Sequence, residues 1–150
     1  VNKKIPSKLL FVGDGPERST AEDLARETGV FEEIRFVGKQ EQMEDILAIA
    51  DLFLLTSEYE SFGLAALEAM AAGVPVVSTN AGGLGEINIP GETGYLSDVG
   101  DVASMSEQAI SILKDIAVLK AFKERAAAHA RQFDITKIVP LYEKLYERFL

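Results

Sequence analysis

The 150-residue sequence contains no cysteine and no tryptophan, and its single histidine is His129. Without cysteine the chain can form neither a disulfide framework nor a thiolate metal site. His129 stands in the run Ala126-Ala-Ala-His-Ala130, with no acidic or cysteine ligand beside it. One histidine without such neighbours does not make a metal site. We therefore expect an ordinary surface or packing role for it.

Basic residues are also scarce. The chain has 15 Lys and Arg against 24 Asp and Glu, which gives a formal net charge of −9. This balance argues against nucleic-acid binding, which requires a basic face. A diphosphate ligand would be compatible with it only if the binding site were locally positive or if another segment supplied cations.

No apolar run approaches the roughly 18 residues that a membrane-spanning helix needs. The first residues, Val1-Asn-Lys-Lys-Ile-Pro6, lead into no apolar signal-peptide core. Together with the lack of cysteine, this favours a cytoplasmic protein. The length predicts one domain over residues 1–150. Because the first residue is not Met, we expect a piece of a longer protein.

Short apolar runs recur along the chain, and helical patterns separate them. They predict strands at residues 8–13, 33–38, 52–55 and 74–78, with a short strand reaching Leu96. The first run is continuously apolar, as in a buried parallel strand. This alternation predicts an α/β fold: a Rossmann-like, doubly wound, mainly parallel sheet with helices on both faces. A last helix is predicted to pack inward through Ile138, Leu141, Tyr142, Leu145 and Phe149.

Residues 58–73 link the third and fourth predicted strands, where an acidic loop leads into a helix. Ser61 is a good N-cap residue, so the helix is predicted to begin at Phe62. The amides of Phe62, Gly63 and Leu64 would then lack an intrahelical acceptor. With the helix dipole they would form an anion site, and Gly63 would let a ligand approach the backbone.

Two glutamates, Glu60 and Glu68, flank this helix start. Glu60 would lie just outside the helix, and Glu68 roughly 9 Å further along it, at a rise of about 1.5 Å per residue. A carboxylate is a poor phosphate ligand but accepts hydrogen bonds from hydroxyls. The pattern favours a sugar nucleotide; the alternative is a solvated helix face that binds nothing. Leu64, Leu67 and Ala71 are predicted to form the core face of the helix.

Two further glycine-rich loops follow predicted strands. Gly13-Asp-Gly-Pro16 resembles part of a dinucleotide fingerprint, but the third glycine and the later acidic residue are missing. A plain strand-to-helix turn is the favoured interpretation. In the segment 79–86, Gly82 and Gly83 permit close backbone approach, and Glu86 is predicted in the first turn of a short helix.

Residues 60–77 read Glu-Ser-Phe-Gly-Leu-Ala-Ala-Leu-Glu-Ala-Met-Ala-Ala-Gly-Val-Pro-Val-Val. This run resembles the signature of the family 4 retaining glycosyltransferases. The resemblance covers nearly all of residues 8–149 and implies the C-terminal, donor-binding half of a two-domain GT-B enzyme. Within the family the chain is most similar to the subgroup that joins N-acetylglucosamine to L-malate in bacillithiol synthesis. That likeness lies in Val37-Gly-Lys-Gln40, residues 57–68, Val99-Gly-Asp-Val102, Phe133-Asp-Ile135 and Pro140-Leu-Tyr-Glu143.

The resemblance implies UDP-N-acetylglucosamine as the donor and L-malate as the acceptor, with no metal and no cofactor. Glu60 would be the catalytic residue that accepts hydrogen bonds from the donor sugar, and Glu68 would bind the ribose. The other donor-binding residues would be Ser61, Phe62, Gly63 and Leu64 for the diphosphate, and the backbone of Val37, Gly38 and Lys39 for the base. For Lys39, an exposed lysine in a turn is the alternative.

The resemblance also implies that parts of the enzyme lie outside this chain. An N-terminal domain would hold the acceptor, and an Arg and a Lys would neutralise the diphosphate. We therefore expect the chain alone to be a poor catalyst, and a homodimer is a possible state of the full-length protein. Two other functions stay open: one half of a sugar-nucleotide 2-epimerase, or a non-catalytic nucleotide-binding module.

Overall fold

A computed structural model describes residues 1–149 and groups the chain into two compact units, Val1–Ile46 and a second that begins at Leu47. Every strand pairing within residues 1–149 is parallel, and helices connect the strands. The predicted parallel α/β fold is therefore confirmed. None of the helices in this part of the chain is long and apolar enough to cross a bilayer.

The first unit is built on a two-stranded parallel sheet. Its elements are β1 (Leu9–Val12), α1 (Arg18–Glu27), a 3-10 turn (Phe31–Glu33), β2 (Ile34–Gly38) and the start of α2 (Met43–Ala48). Strand β1 was predicted to be buried, and this was wrong, because Leu9, Leu10 and Phe11 are all exposed. β2 is the only described strand that pairs with β1. A single neighbour covers too little of the apolar strand to bury it.

The second unit contains the remaining elements. In chain order they are β3 (Phe53–Leu55), α3 (Leu64–Ala71), β4 (Val76–Thr79), α4 (Leu84–Ile87), β5 (Gly94–Ser97), α5 (Val102–Leu113), α6 (Ile116–Ala130), a 3-10 turn (Arg131–Phe133) and α7 (Ile135–Tyr146). The strand order β3-β4-β5 places β4 in the centre, and all four of its residues are buried. Because successive side chains point to opposite faces, Val76 packs in a core with α3, and Val77 packs in a second core with α5.

Helix α3 buries a different face from the one predicted. Ala66, Ala69 and Met70 have no exposed surface, whereas Leu64 is 64% exposed. Of the predicted stripe, Leu67 is partly buried against this core, whereas Leu64 and Ala71 are exposed and do not belong to the core face. Small side chains form most of the buried face, and they let α3 approach α6, where Ala126 is equally buried. Sequence periodicity does not separate two adjacent apolar stripes on one short helix.

Helix α7 is amphipathic, but none of its residues is buried. The expectation that Leu141, Tyr142, Leu145 and Phe149 pack inward is wrong for the described chain, since all four are exposed. Ile138 alone of the predicted set is partly covered. The helix begins at Ile135 and is capped by Asp134, whose carboxylate accepts from the Thr136 amide at 2.9 Å.

A buried polar network links the ends of β4 and β5. The side-chain nitrogen of Asn88, fully buried after α4, donates to the carbonyls of Val76 at 3.1 Å and Tyr95 at 2.9 Å, and to the Ser78 hydroxyl. The Asn88 side-chain oxygen accepts from the hydroxyl of Thr93 at 3.0 Å. One side chain therefore forms hydrogen bonds with polar groups of both strands. Without these bonds the buried groups would lack partners, which would lower the stability of the fold.

We expect Asn88→Ala to lower the free energy of unfolding by about 2–3 kcal/mol, because several buried groups would lose their partner at once. Urea denaturation followed by circular dichroism measures the change. Asn80→Ala is the matched control, since Asn80 is exposed, and it should cost less than about 0.5 kcal/mol. Equal losses for the two variants would contradict the role given to the network.

Candidate functional site

The loop between β3 and α3, residues 56–63, lies at the carboxyl end of the sheet, where open α/β folds bind ligands. Helix α3 begins at Leu64 instead of Phe62, and its N-cap is Gly63 with φ of +93°. The predicted N-cap Ser61 makes no capping bond and is exposed. A glycine in the left-handed region lets the chain turn sharply into the helix, and this turn moves the helix start two residues on.

The carboxylate of Glu60 takes the place that Ser61 was expected to fill. Its Oε1 atom accepts hydrogen bonds from the amides of Ser61 at 3.1 Å and Gly63 at 3.2 Å. The amides of Phe62 and Leu64 have no acceptor among the described residues. The predicted row of three open amides is thus reduced to two, and an acidic side chain holds part of the anion site.

The space beside Gly63 is filled by protein. A Cβ built on Gly63 would lie 2.6 Å from Leu84 Cδ2 and 3.0 Å from Ile87 Cδ1, both side chains of α4. On this side the glycine admits α4, and the approach of a ligand to the Gly63 backbone stays a prediction. A close backbone approach was expected at Gly82 and Gly83, and it is the backbone of the Glu60 loop that approaches them.

Phe62 and Tyr59 mark the outer side of this loop. Tyr59 is 91% exposed, and Phe62 is also exposed. The ring of Phe62 packs edge-on against Phe133 with centroids 6.2 Å apart, and Phe133 packs in the same way against His129 at 5.3 Å. His129 therefore has the packing role expected for it, and its Nε2 atom is buried without a hydrogen-bond partner among residues 1–149.

Glu68 is exposed on α3 and lies in a groove of about 320 Å³. Leu64, Leu67 and Ala71, the stripe expected in the core, line the α3 side of this groove. The opposite side comes from the end of α6 and the turn after it, with Ala127, Ala130, Arg131, Phe133 and Asp134. The groove therefore brings a cation, Arg131, to the same depression as Glu68. Sequence analysis did not assign Arg131 a role.

A second, more polar cavity of about 260 Å³ lies beyond the carboxyl ends of β4 and β5. It is lined by Asn80, Leu96, Ser97, Asp98, Asp101, Ser104 and Gln108. The Ser104 hydroxyl and amide donate to Asp101 and hold the pKa of that carboxyl below its usual value. Asp101 caps α5, so its geometry is explained by the helix. From the sequence, the run Val99-Gly-Asp-Val102 was noted only as a likeness to the family, and neither the cap nor the cavity was predicted.

The candidate base contact belongs to the first unit. Gly38, at the end of β2, has φ of +68°, and its carbonyl accepts from the Gly13 amide at 2.9 Å. The Val37 carbonyl accepts from the side-chain nitrogen of Gln40 at 2.6 Å. Lys39 is exposed. The loop is therefore ordered by its own bonds, and a role for it toward a base stays a prediction.

No group of three or more His, Asp or Glu side chains within residues 1–149 is placed to hold a metal ion. The site offers instead carboxylates, backbone amides and one guanidinium. These groups can accept hydrogen bonds from hydroxyls and can donate to a polar or anionic ligand.

Comparison with known proteins gives one family. The model of the glycosyl transferases group 1 matches residues 1–129. The chain is 45% identical over 144 residues to the N-acetyl-alpha-D-glucosaminyl L-malate synthase of Bacillus anthracis, covering 95% of this chain and 38% of the relative. It is 34% identical over 135 residues to the 2-deoxystreptamine N-acetyl-D-glucosaminyltransferase of Niallia circulans, covering 89% of this chain and 34% of the relative.

Solved structures agree with this result. Sucrose-phosphate synthase from Thermosynechococcus elongatus superposes with a TM-score of 0.86 at 30% identity, over 97% of this chain and 39% of that one. Anabaena HepE in complex with UDP superposes with a TM-score of 0.85 at 28% identity, over 95% and 42%. The chain thus spans about two fifths of the length of these relatives. The GT-B architecture predicted from the sequence is confirmed at the level of the fold.

Removal of the Glu60 carboxylate should weaken the start of α3. We expect Glu60→Ala to lower the free energy of unfolding by about 1 kcal/mol, since two amides at the helix start lose their charged acceptor. Hydrogen exchange of the Gly63 amide should become faster. Glu58→Ala removes the same charge from an exposed position of the loop and should change neither quantity. Unchanged exchange at Gly63 in Glu60→Ala would contradict the capping role.

Proposed function

Because this chain belongs to the glycosyl transferases group 1 family, we propose that it binds the nucleotide-sugar donor of a retaining glycosyltransferase. The proposed donor is UDP-N-acetylglucosamine and the proposed acceptor is L-malate, as in bacillithiol synthesis. The observation that carries the proposal is the 45% identity, over 95% of this chain, to an enzyme named for joining those two groups. HepE, which is similar in fold and sequence, is described in complex with UDP.

The proposed roles follow the chemistry of each side chain. Glu60, held at the helix start by the Ser61 and Gly63 amides, accepts hydrogen bonds from hydroxyls of the donor sugar. The open amides of Phe62 and Leu64 donate to the donor's diphosphate at the positive end of the helix dipole. Glu68 accepts hydrogen bonds from the ribose hydroxyls. The apolar side chains that line the groove of Glu68 and Arg131 contact the ribose.

Base binding is assigned to the first unit. The backbone of Val37, Gly38 and Lys39 would offer hydrogen bonds to uracil, and the ordered turn at Gly38 keeps those groups in place. A polar backbone edge suits a base, because its donors and acceptors are fixed before the ligand arrives. Ser61, whose side chain is free of the capping role, would present its hydroxyl to the diphosphate.

The reaction proposed for the whole enzyme is sugar transfer with retention. A hydroxyl oxygen of the acceptor forms a bond to the anomeric carbon on the face from which the bond to the diphosphate oxygen breaks. The proton of that hydroxyl passes to the departing phosphate. Amides near the leaving group stabilise the charge that develops on it. No metal and no cofactor takes part in this scheme, and Glu60 contributes by holding the sugar.

The chain spans about two fifths of its relatives, and we propose that the whole reaction requires more than these residues. We propose that a further domain of the same enzyme holds the acceptor and supplies the cations that the acidic chain lacks. This assignment accounts for the net charge of −9 beside a diphosphate ligand. The complete enzyme is proposed to work in the cytoplasm.

Calorimetric titration of the chain with UDP and with UDP-N-acetylglucosamine tests the proposal. The chain should bind both, and Glu68→Ala should weaken binding of both about tenfold, since the hydrogen bonds to the ribose are worth about 1.4 kcal/mol. Glu107→Ala removes an equal charge from an exposed site on α5 and should leave both affinities unchanged.

Absence of binding to the folded chain would contradict donor binding by these residues alone. Equal affinity of Glu68→Ala and the unchanged chain would contradict the ribose role alone. Release of UDP and epimerisation of the sugar without any acceptor would point to a 2-epimerase.

A further inference from the structure

Two segments about 20 residues apart in the sequence interlock at the candidate site. The first is the loop of Glu60, residues 56–63; the second is the segment after β4, residues 79–83. The hydroxyl of Thr79, 1% exposed, donates to the carbonyl of Ser57 at 2.6 Å. This bond ties the start of the Glu60 loop to the end of the central strand.

The glycine pair supplies the second tie. A Cβ built on Gly82 would overlap the carbonyl oxygen of Glu60 and would lie 2.7 Å from its carbonyl carbon. A Cβ built on Gly83 would lie 2.7 Å from the carbonyl oxygen of Ser61 and 2.9 Å from Phe62 Cα. In each case the atom in the way belongs to the backbone, which cannot rotate aside as a flexible side chain can.

The interlock is reciprocal, since the space beside Gly63 holds Leu84 and Ile87. Those two residues have no exposed surface and belong to the core beside β4. The Glu60 loop is therefore held against the core along its length: at Ser57 by a hydrogen bond, at Glu60 and Ser61 by glycines, and at Gly63 by packing.

We propose that Thr79, Gly82 and Gly83 are positioning residues that set where the Glu60 carboxylate lies, and that they act on donor binding only through it. The part of this inference that concerns the donor rests on the proposed function. Gly82 has the most direct effect, because any side chain at position 82 must push the backbone of Glu60 away. That displacement moves the carboxylate away from the sugar hydroxyls whose hydrogen bonds it is proposed to accept.

A pair of glycine variants separates this role from backbone strain. Gly82 and Gly91 both have positive φ, +52° and +79°, so an alanine is strained at either position. A Cβ on Gly82 meets Glu60, whereas one on Gly91 meets nothing within 4 Å. Gly91→Ala therefore reproduces the strain without the collision, and any further effect of Gly82→Ala comes from the displaced loop.

The first measurement is a pair of amide proton–nitrogen NMR spectra. Gly82→Ala should shift the Ser61 and Gly63 resonances, because their bonds to the Glu60 carboxylate change, and Gly91→Ala should leave both in place. This measurement requires no ligand, so it tests the positioning role even if the chain binds no nucleotide sugar. Unshifted Ser61 and Gly63 resonances in folded Gly82→Ala would overturn the inference.

The second measurement is the affinity for UDP-N-acetylglucosamine. We expect Gly82→Ala to weaken it at least tenfold relative to Gly91→Ala. Equal affinities of these two variants would overturn the link to the donor, whereas failure of the unchanged chain to bind would overturn the proposed function and leave the spectra to decide on positioning.

Thr79 provides a second route should Gly82→Ala fail to fold. Thr79→Val keeps the shape of the side chain but removes the hydroxyl, and Thr79→Ser restores it. Thr79→Val should shift the Ser61 and Gly63 resonances, and Thr79→Ser should return them to their original positions. Identical spectra for the two Thr79 variants would contradict the role of the hydroxyl bond and, with it, the inference.

Discussion

The second unit depends on the complete burial of β4, which lies between β3 and β5 and beneath helices on both faces. A strand enclosed in this way must satisfy its side-chain hydroxyls as well as its backbone inside the protein. Asn88 partners the hydroxyl of Ser78, and the Ser57 carbonyl partners that of Thr79. The second of these partners belongs to the candidate site. The demand for internal hydrogen bonds therefore shapes both the core and the loop above it.

Charge at the candidate site is mixed, which suits a ligand that carries both hydroxyls and phosphates. Glu60 occupies two of the amides at the start of α3, while Arg131 shares the groove of Glu68. Hydroxyls can donate to either carboxylate, and phosphates require donors. The arrangement is therefore better equipped for the sugar parts of a nucleotide sugar than for its diphosphate. This difference fits a chain that spans only part of its relatives.

The parallel α/β class and the position of the Glu60 loop could be predicted from the sequence, because apolar runs and helical periodicity depend on local spacing alone. The start of α3 could not, since a left-handed turn at Gly63 and a carboxylate cap replaced the Ser61 cap that local preference favours. The packing partners of the glycines could not be predicted from the sequence either. Sequence shows that the backbone can be approached at Gly63 and Gly82, but only tertiary structure shows that α4 and the Glu60 loop make the approach.

The backbone of the Glu60 loop packs directly against the turn at Gly82. The conformations of the two segments therefore cannot change independently. A side chain at position 82 would meet the backbone of Glu60, and one at position 83 would meet the backbone of Ser61 and Phe62. Substitutions in the two segments should therefore be non-additive, as is usual for groups in direct contact. For protein engineering, a redesigned Glu60 loop would therefore have to be introduced together with a matching Gly82 turn.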